Sequence, residues 1–306
     1  MSTILEVRNV SKRYRETKAL DNVSFKISSG KICGFVGPNG AGKTTMIKII
    51  CGLLYPDNGE VFCLGGNNNT RAFRKNIGYL SEGMGYYEGF TVYQYLRYFY
   101  TLYRLPISSV DSRIKEILEL MNLSERVNTK ISTLSHGMKQ KLGIARALFH
   151  DPSLLIFDEP LSGLDPSFRR EFIELLRYIN TEDGKTIFVS SHELKDIDEI
   201  CNDVIIINKG KIVTFGSIKE LMKNIYINFD IPIKQYNPIV EELPYVFPEI
   251  RDFKIQNDTL KFKAKQREGL EKDIFRWLIE KEIGFSIGTH RLSSIYENIF
   301  ENKTGE

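Results

Sequence analysis

Apolar and polar positions alternate along residues 4–10 and again along 23–27, the two-residue period of half-buried strands. Between them residues 11–15 are polar with one aromatic, Tyr14, and predict a loop. Residues 32–36 form a continuous apolar run, followed by a glycine-rich stretch at 37–45 and a helix-like run at 46–50. Turn residues crowd the passage up to 65–69, and 75–82 predicts a short strand that closes on an exposed polar residue. An unusually aromatic segment follows, in which Val92, Leu96, Phe99 and Tyr103 share one helical stripe and predict a buried face. The tyrosines left over suit either core or a protein-docking surface. Met138, Leu142, Ala145 and Phe149 keep helical spacing behind Ser135, a natural N-cap. Residues 154–157 are apolar throughout, as in a central parallel strand covered on both faces. A turn at 162–166 leads to a helix around 168–180, then a buried strand at 186–192 and a hairpin of 204–208 with 211–216.

From about residue 217 the pattern changes. A short helix at 219–223 precedes alternating runs at 226–231, 252–256 and 260–264, with Asn257 and Asp258 as the turn between the last two. Residues 268–282 predict an amphipathic helix with Leu270, Ile274, Trp277 and Leu278 inside, 283–289 a strand, and 294–302 a last helix. A small antiparallel sheet with helices on one face is expected for 226–306. No internal repeat is visible.

The chain of 306 residues is long enough for two domains, and 42% hydrophobic with 26% charged residues describes an ordinary globular protein. A net charge of +3 gives no global argument for nucleic acid. The four cysteines are far apart with no C-x-x-C pair, which fits a reducing compartment better than disulfides or zinc. The N-terminus lacks the charged and apolar regions of a signal peptide, and no stretch reaches the roughly 18 apolar residues that span a bilayer. Any membrane role would need another chain to cross the bilayer.

Candidate chemistry sharpens the picture. Gly37, Pro38, Asn39, Gly40, Ala41, Gly42, Lys43, Thr44 and Thr45 lie between strand and helix, the context of a phosphate-binding loop. Glycines there let backbone N–H groups face phosphates, the helix start adds its positive end, Lys43 reaches the β- and γ-phosphates, and Thr44 offers a hydroxyl to Mg²⁺. Asp158 and Glu159 close the buried strand 154–157, at the end where α/β sheets place ligands. Asp158 suits a Mg²⁺ shell and Glu159 the holding and deprotonation of a water. Ser135 either caps a helix or, with Gly137, opens a second phosphate site. Tyr14 is either a plain loop residue or a base-stacking ring.

Taken with His192, these motifs resemble an ABC-type ATPase subunit, the nucleotide-binding domain of a membrane transporter, over residues 1–216. The stretch 37–45 matches its Walker A, 154–159 its Walker B, 134–138 its signature, 162–165 its D-loop, His192 its switch histidine and Tyr14 its adenine-stacking aromatic. The resemblance implies an α/β P-loop NTPase fold with a mixed sheet core, an antiparallel β subdomain and a helical subdomain at about 83–150. A small C-terminal α+β domain would occupy 217–306. It implies ATP and Mg²⁺, and a homodimer in which Ser135 and Gly137 meet the γ-phosphate of the partner's nucleotide, while His192 holds the γ-phosphate beside Glu159 and the water in line. His136 and Met138 stand where the signature usually has Gly and Gln, and Glu82 stands where the family has the Mg²⁺-linked glutamine. Similar Tyr-Leu-x-Glu sequences occur in the ABC-2 exporter branch. The expectation is therefore an exporter ATPase at the cytoplasmic face of the cell membrane beside a separate ABC-2-type permease, with no nucleic acid. An importer ATPase with a regulatory C-terminal domain, or an ABC ATPase acting without a membrane on DNA, ribosomes or cofactor assembly, are the alternatives.

Overall fold

Strands β1 (Thr3–Tyr14) and β2 (Thr17–Ser28) pair antiparallel along their whole length, so the polar stretch expected as a loop is the far end of a long hairpin. Register shifts at Val7/Val10, Val10/Lys12 and Lys12/Arg13 break the two-residue alternation there. That is why the pattern of side chains hides the strand while the backbone keeps its ladder. The computed structural model describes residues 2–68, 70–222, 226–233, 238–256, 259–265 and 269–283. By contact the chain divides into two compact units, Met1–Phe215 and Gly216–Glu306.

In the first unit the hairpin is followed by β3 (Ile32–Val36), α1 (Lys43–Ile50), β4 (Asn58–Cys63), β5 (Gly66–Asn67), α2 (Arg71–Lys75) and β6 (Ile77–Leu80). Helices α3 (Val92–Leu102), α4 (Val110–Leu120) and α5 (His136–Leu148) form the next stretch. The chain then runs through β7 (Leu154–Phe157), α6 (Pro166–Thr181), β8 (Thr186–Ser191), α7 (Leu194–Ile200), β9 (Asp203–Asn208) and β10 (Lys211–Ser217). One sheet has the order β2-β1-β4-β5 and is antiparallel; the other has the order β10-β9-β3-β8-β7-β6. Its β9-β3, β3-β8, β8-β7 and β7-β6 pairs are parallel. A sheet of this kind is covered on both faces, which requires β3, β7 and β8 to be apolar throughout, and every residue of all three is buried. Phe25, Phe35 and Phe188 pack together between the two sheets, with centroids 5.3–6.0 Å apart.

The helical segment departs from expectation in one respect. The buried residues of α3 are Val92, Tyr95, Leu96 and Tyr100, while Phe99 and Tyr103 are only partly covered. Tyr95 carries its hydroxyl inward because Arg146 donates to it at 3.3 Å, a partner that lets a phenol occupy a core position. Tyr87, Tyr98 and Leu102 remain exposed beside it, so the aromatic segment is core on one side and open surface on the other. The helix starts with a capping box, Thr91 Oγ1 accepting from Gln94 N–H and the Gln94 side chain accepting from Thr91 N–H.

The second unit holds α8 (Ile218–Met222), β11 (Tyr226–Pro232), α9 (Leu243–Val246), β12 (Ile250–Gln256), β13 (Thr259–Lys265) and α10 (Leu270–Glu280). Its sheet is antiparallel with the order β11-β13-β12, and Leu270, Ile274, Trp277 and Leu278 are the inward face of α10. The turn expected at Asn257 and Asp258 and the elements expected at 284–302 lie outside the described residues. No helix among the described residues is long and apolar enough to cross a membrane.

His150, just beyond α5, gives the fold a pH signature. Its Nε2 donates to Ile77 O at 2.9 Å, its ring stacks on Tyr103 at 4.2 Å, and its Nδ1 is buried without a partner. A second proton would sit on that partnerless nitrogen, so burial lowers the imidazole from 6.5 to about 4. The folded state therefore refuses a proton that the unfolded chain accepts. The stability this group contributes is complete above pH 6.5 and is lost as pH falls toward 4. A His150→Gln variant, measured by urea unfolding, should show a flatter fall in stability than the parent between these pH values.

Candidate nucleotide site

Three neighbouring strands deliver the site. β3, β8 and β7 lie side by side and parallel, and Val36 pairs with Ser191 while Phe157 pairs with Val189. Their C-terminal ends thus bring the loop 37–42, His192 and Asp158–Glu159 to one edge. β6 is the next strand out, and Glu82 follows it in an exposed turn, two residues beyond Leu80, whose carbonyl accepts from Asp158 N–H at 2.9 Å.

The loop is built by backbone necessity. Gly42, the N-cap of α1, has φ 107°, and a Cβ there would lie 2.5 Å from Ala19 O. Only glycine fits that conformation and that approach. Lys43 then turns back over the loop, donating to Gly37 O at 2.7 Å and Pro38 O at 3.4 Å. Its ammonium also lies 3.3 Å from Glu159 Oε1, and both side chains are under 10% exposed. Glu159 Oε2 in turn accepts from His192 N–H at 3.3 Å and lies 2.8 Å from His192 Nδ1. Glu159 itself sits at φ 50°, a left-handed conformation that costs on the order of 1 kcal/mol or more and persists because these contacts over-determine it.

Asp158 completes the cluster. Ser190 Oγ donates to Asp158 Oδ1 at 2.7 Å and accepts from Glu159 N–H at 2.9 Å. The other carboxylate oxygen, Oδ2, is buried with no partner. Burial raises this carboxyl above the ordinary aspartate range, against the Ser190 and Thr44 hydroxyls, which lower it. A buried, partnerless carboxylate oxygen beside a threonine hydroxyl fits a hard divalent cation. Mg²⁺ takes one or two protein ligands and leaves its other positions to phosphate and water. Among the described residues no group of three His, Cys, Asp or Glu forms a closed metal cage. Ser190 was not foreseen from the sequence, although two serines ending an otherwise apolar strand were a signal for it.

The signature region lies on α5. Ser135 Oγ accepts from Met138 N–H at 3.3 Å, so it does cap the helix. Gly137 is required there because a Cβ would lie 2.6 Å from the Phe168 ring. His136 Nε2 meets Ser162 O at 3.4 Å and Gln140 Nε2 donates to Pro160 O at 3.2 Å, so this face of α5 grips the segment that follows Glu159. Among the described residues, Tyr14, Glu82, Ser135 and Gly137 are not hydrogen-bond or ion-pair partners of Lys43, Glu159 or His192. Tyr14 is exposed at the tip of the hairpin.

A phosphate loop, a cation folded over it and paired acids at the end of a buried parallel strand define a P-loop nucleoside triphosphatase. The family model for the ABC transporter matches residues 20–162. The chain is 34% identical to the bacitracin transport ATP-binding protein BcrA of Enterococcus faecalis, over 85% of this chain and 84% of that one. It is 36% identical to the methionine import ATP-binding protein MetN of Clostridium acetobutylicum, over 72% and 71%. Among solved structures it resembles the dimeric, post-hydrolysis ATP-binding cassette MJ0796 bound to ADP and Pi. That likeness is at 28% identity and TM-score 0.64, over 70% of this chain and 98% of that one. The chain belongs to the ABC transporter ATP-binding proteins, and it is an ATPase.

Replacing Ser190 by Ala removes the donor to Asp158 and the acceptor of Glu159 N–H together. The expected cost is about 1–3 kcal/mol in chemical denaturation, because two buried polar groups lose their partner at once.

Proposed function

We propose that this chain is the ATP-hydrolysing subunit of an exporter, working as a homodimer at the cytoplasmic face of the membrane beside a separately encoded ABC-2-type permease. The observation that carries the hydrolytic part is the buried Glu159 carboxylate held between Lys43 and His192. Its base is thereby aimed and its orientation fixed before any substrate arrives. Glu159 holds and deprotonates the attacking water, His192 keeps that water and the γ-phosphate in line, and Lys43 binds the phosphates. Asp158 and Thr44, with Glu82 at the neighbouring strand end, would hold Mg²⁺, which supplies charge neutralisation on the phosphates when bound. Gly37–Thr45 cradles the phosphates and Tyr14 stacks on the base. Ser135 and Gly137 serve the nucleotide of the second copy.

Export is the direction we infer, because Tyr79, Leu80 and Glu82 form the Tyr-Leu-x-Glu sequence that resembles the ABC-2 exporter branch. The likeness to the bacitracin transport protein covers 85% of the chain and so runs beyond the first unit, which ends at Phe215. The exposed Tyr87, Tyr98 and Leu102 supply an apolar surface on which a permease can dock.

Three experiments test this reading. Glu159→Gln should lower ATP turnover by roughly 100-fold or more and accumulate as a dimer in ATP; a strictly monomeric variant by light scattering would count against the shared site. Affinity purification from detergent-solubilised membranes should recover an integral membrane protein. Recovery of a ribosome or DNA complex without one would refute the transporter assignment. Deleting residues 217–306 should leave nucleotide affinity within about twofold of the parent, since every group assigned to ATP lies before that point.

A further inference from the structure

Next to the site lies a cluster of charges that none of the steps above uses. Arg169, one turn into α6, forks onto Glu193, with Nη1 2.8 Å from Oε2 and Nη2 3.4 Å from Oε1. The same Nη1 donates to Asp196 Oδ1 at 3.0 Å. Asp196 is 4% exposed. Burial pushes its carboxyl up to about 6 while Arg169 pulls it down. The fork likewise holds Glu193 below its usual range.

The position of Glu193 gives this cluster its meaning. Glu193 is the residue after His192 and the N-cap of α7, yet its side chain caps nothing and is directed to Arg169 instead. Its N–H donates to Ser191 Oγ at 2.9 Å, so the backbone on both sides of His192 is pinned. The His192 side chain is 41% exposed, and among the described residues Glu159 is what holds the ring. An exposed imidazole on a loop samples several rotamers unless its backbone is fixed; Glu159 holds the His192 N–H, and the Arg169 fork holds the residue that follows. Arg169 also belongs to the helix whose N-cap, Asp165, ends the turn that follows Glu159. One guanidinium thus ties the turn behind the base to the loop that carries the histidine.

We infer that Arg169 is a positioning residue for His192: by clamping Glu193 and Asp196 it fixes the loop on which the Glu159–His192 pair is assembled. The inference rests on the assignment of Glu159 and His192 to hydrolysis only where turnover is concerned; the position of the imidazole can be read separately. The chain has four histidines, His136, His150, His192 and His290, so imidazole resonances of the full-length protein are few enough to assign by single substitutions.

In Arg169→Gln, the His192 resonances should shift and broaden while those of His150 stay in place. Turnover should fall roughly 10- to 100-fold, the effect of a catalytic group displaced by a fraction of an ångström to an ångström. The dissociation constant for ATP should change less than about twofold. Arg169→Lys keeps the charge but loses the fork and should fall between. If Arg169→Gln does not fold, Glu193→Gln is the substitute, since Arg169 then still neutralises the buried Asp196. Unchanged His192 resonances in the folded variant overturn the inference, as does a loss of nucleotide affinity that parallels the loss of turnover. Shifted resonances with unchanged turnover would instead preserve the clamp and refute the catalytic assignment of His192.

Discussion

The ion pair between Lys43 and Glu159 is the constraint on which the site depends. Both side chains are almost fully withdrawn from water, and a single charge in that position costs several kcal/mol if its partner is removed. Neither residue therefore leaves the pair unless another charge takes its place. Lys43 closes the loop through Gly37 O, Glu159 reaches His192, and Ser190 holds both acids. Three separate stretches of sequence are fixed to each other by one network of charge-assisted bonds, which are stronger and shorter than neutral ones.

The sheet makes this network possible. Parallel strands all point their C-terminal ends the same way, so the residues after β3, β7 and β8 arrive at a common edge without any loop having to reach for it. The apolar runs that identify these strands are therefore also what determines where the polar residues after them meet. A site held on strand ends is stiffer than one held on loops, and Glu159 can be kept in a left-handed conformation there.

This explains what was legible in the sequence and what was not. The phosphate loop, the acids at the end of β7 and the strand ending in His192 each follow a continuous apolar run, and local pattern was enough. Ser190 showed only as a serine closing an apolar strand, because its function lies in two acids more than thirty residues away. The length of the β1–β2 hairpin was hidden by register shifts that scramble the alternation. The inner face of α3 was misjudged by one helical step. The pattern leaves Tyr95 open between core and surface, and Arg146, from a distant helix, supplies the hydrogen bond that lets it be core. For Ser190 and Tyr95 the missing information was a long-range partner, which periodicity does not carry.

The Lys43–Glu159 pair also ties phosphate binding to the proposed chemistry. The Lys43 ammonium lies 3.3 Å from Glu159 Oε1 and His192 meets Oε2, so both carboxylate oxygens are engaged. In the proposed reaction the phosphates compete for Lys43, since they carry more negative charge than one carboxylate. The carboxylate oxygen that Lys43 gives up is then open to a water, while His192 keeps the other in place. Binding and positioning would thus be one event: the cation proposed to recognise the phosphates is the cation that occupies the proposed base.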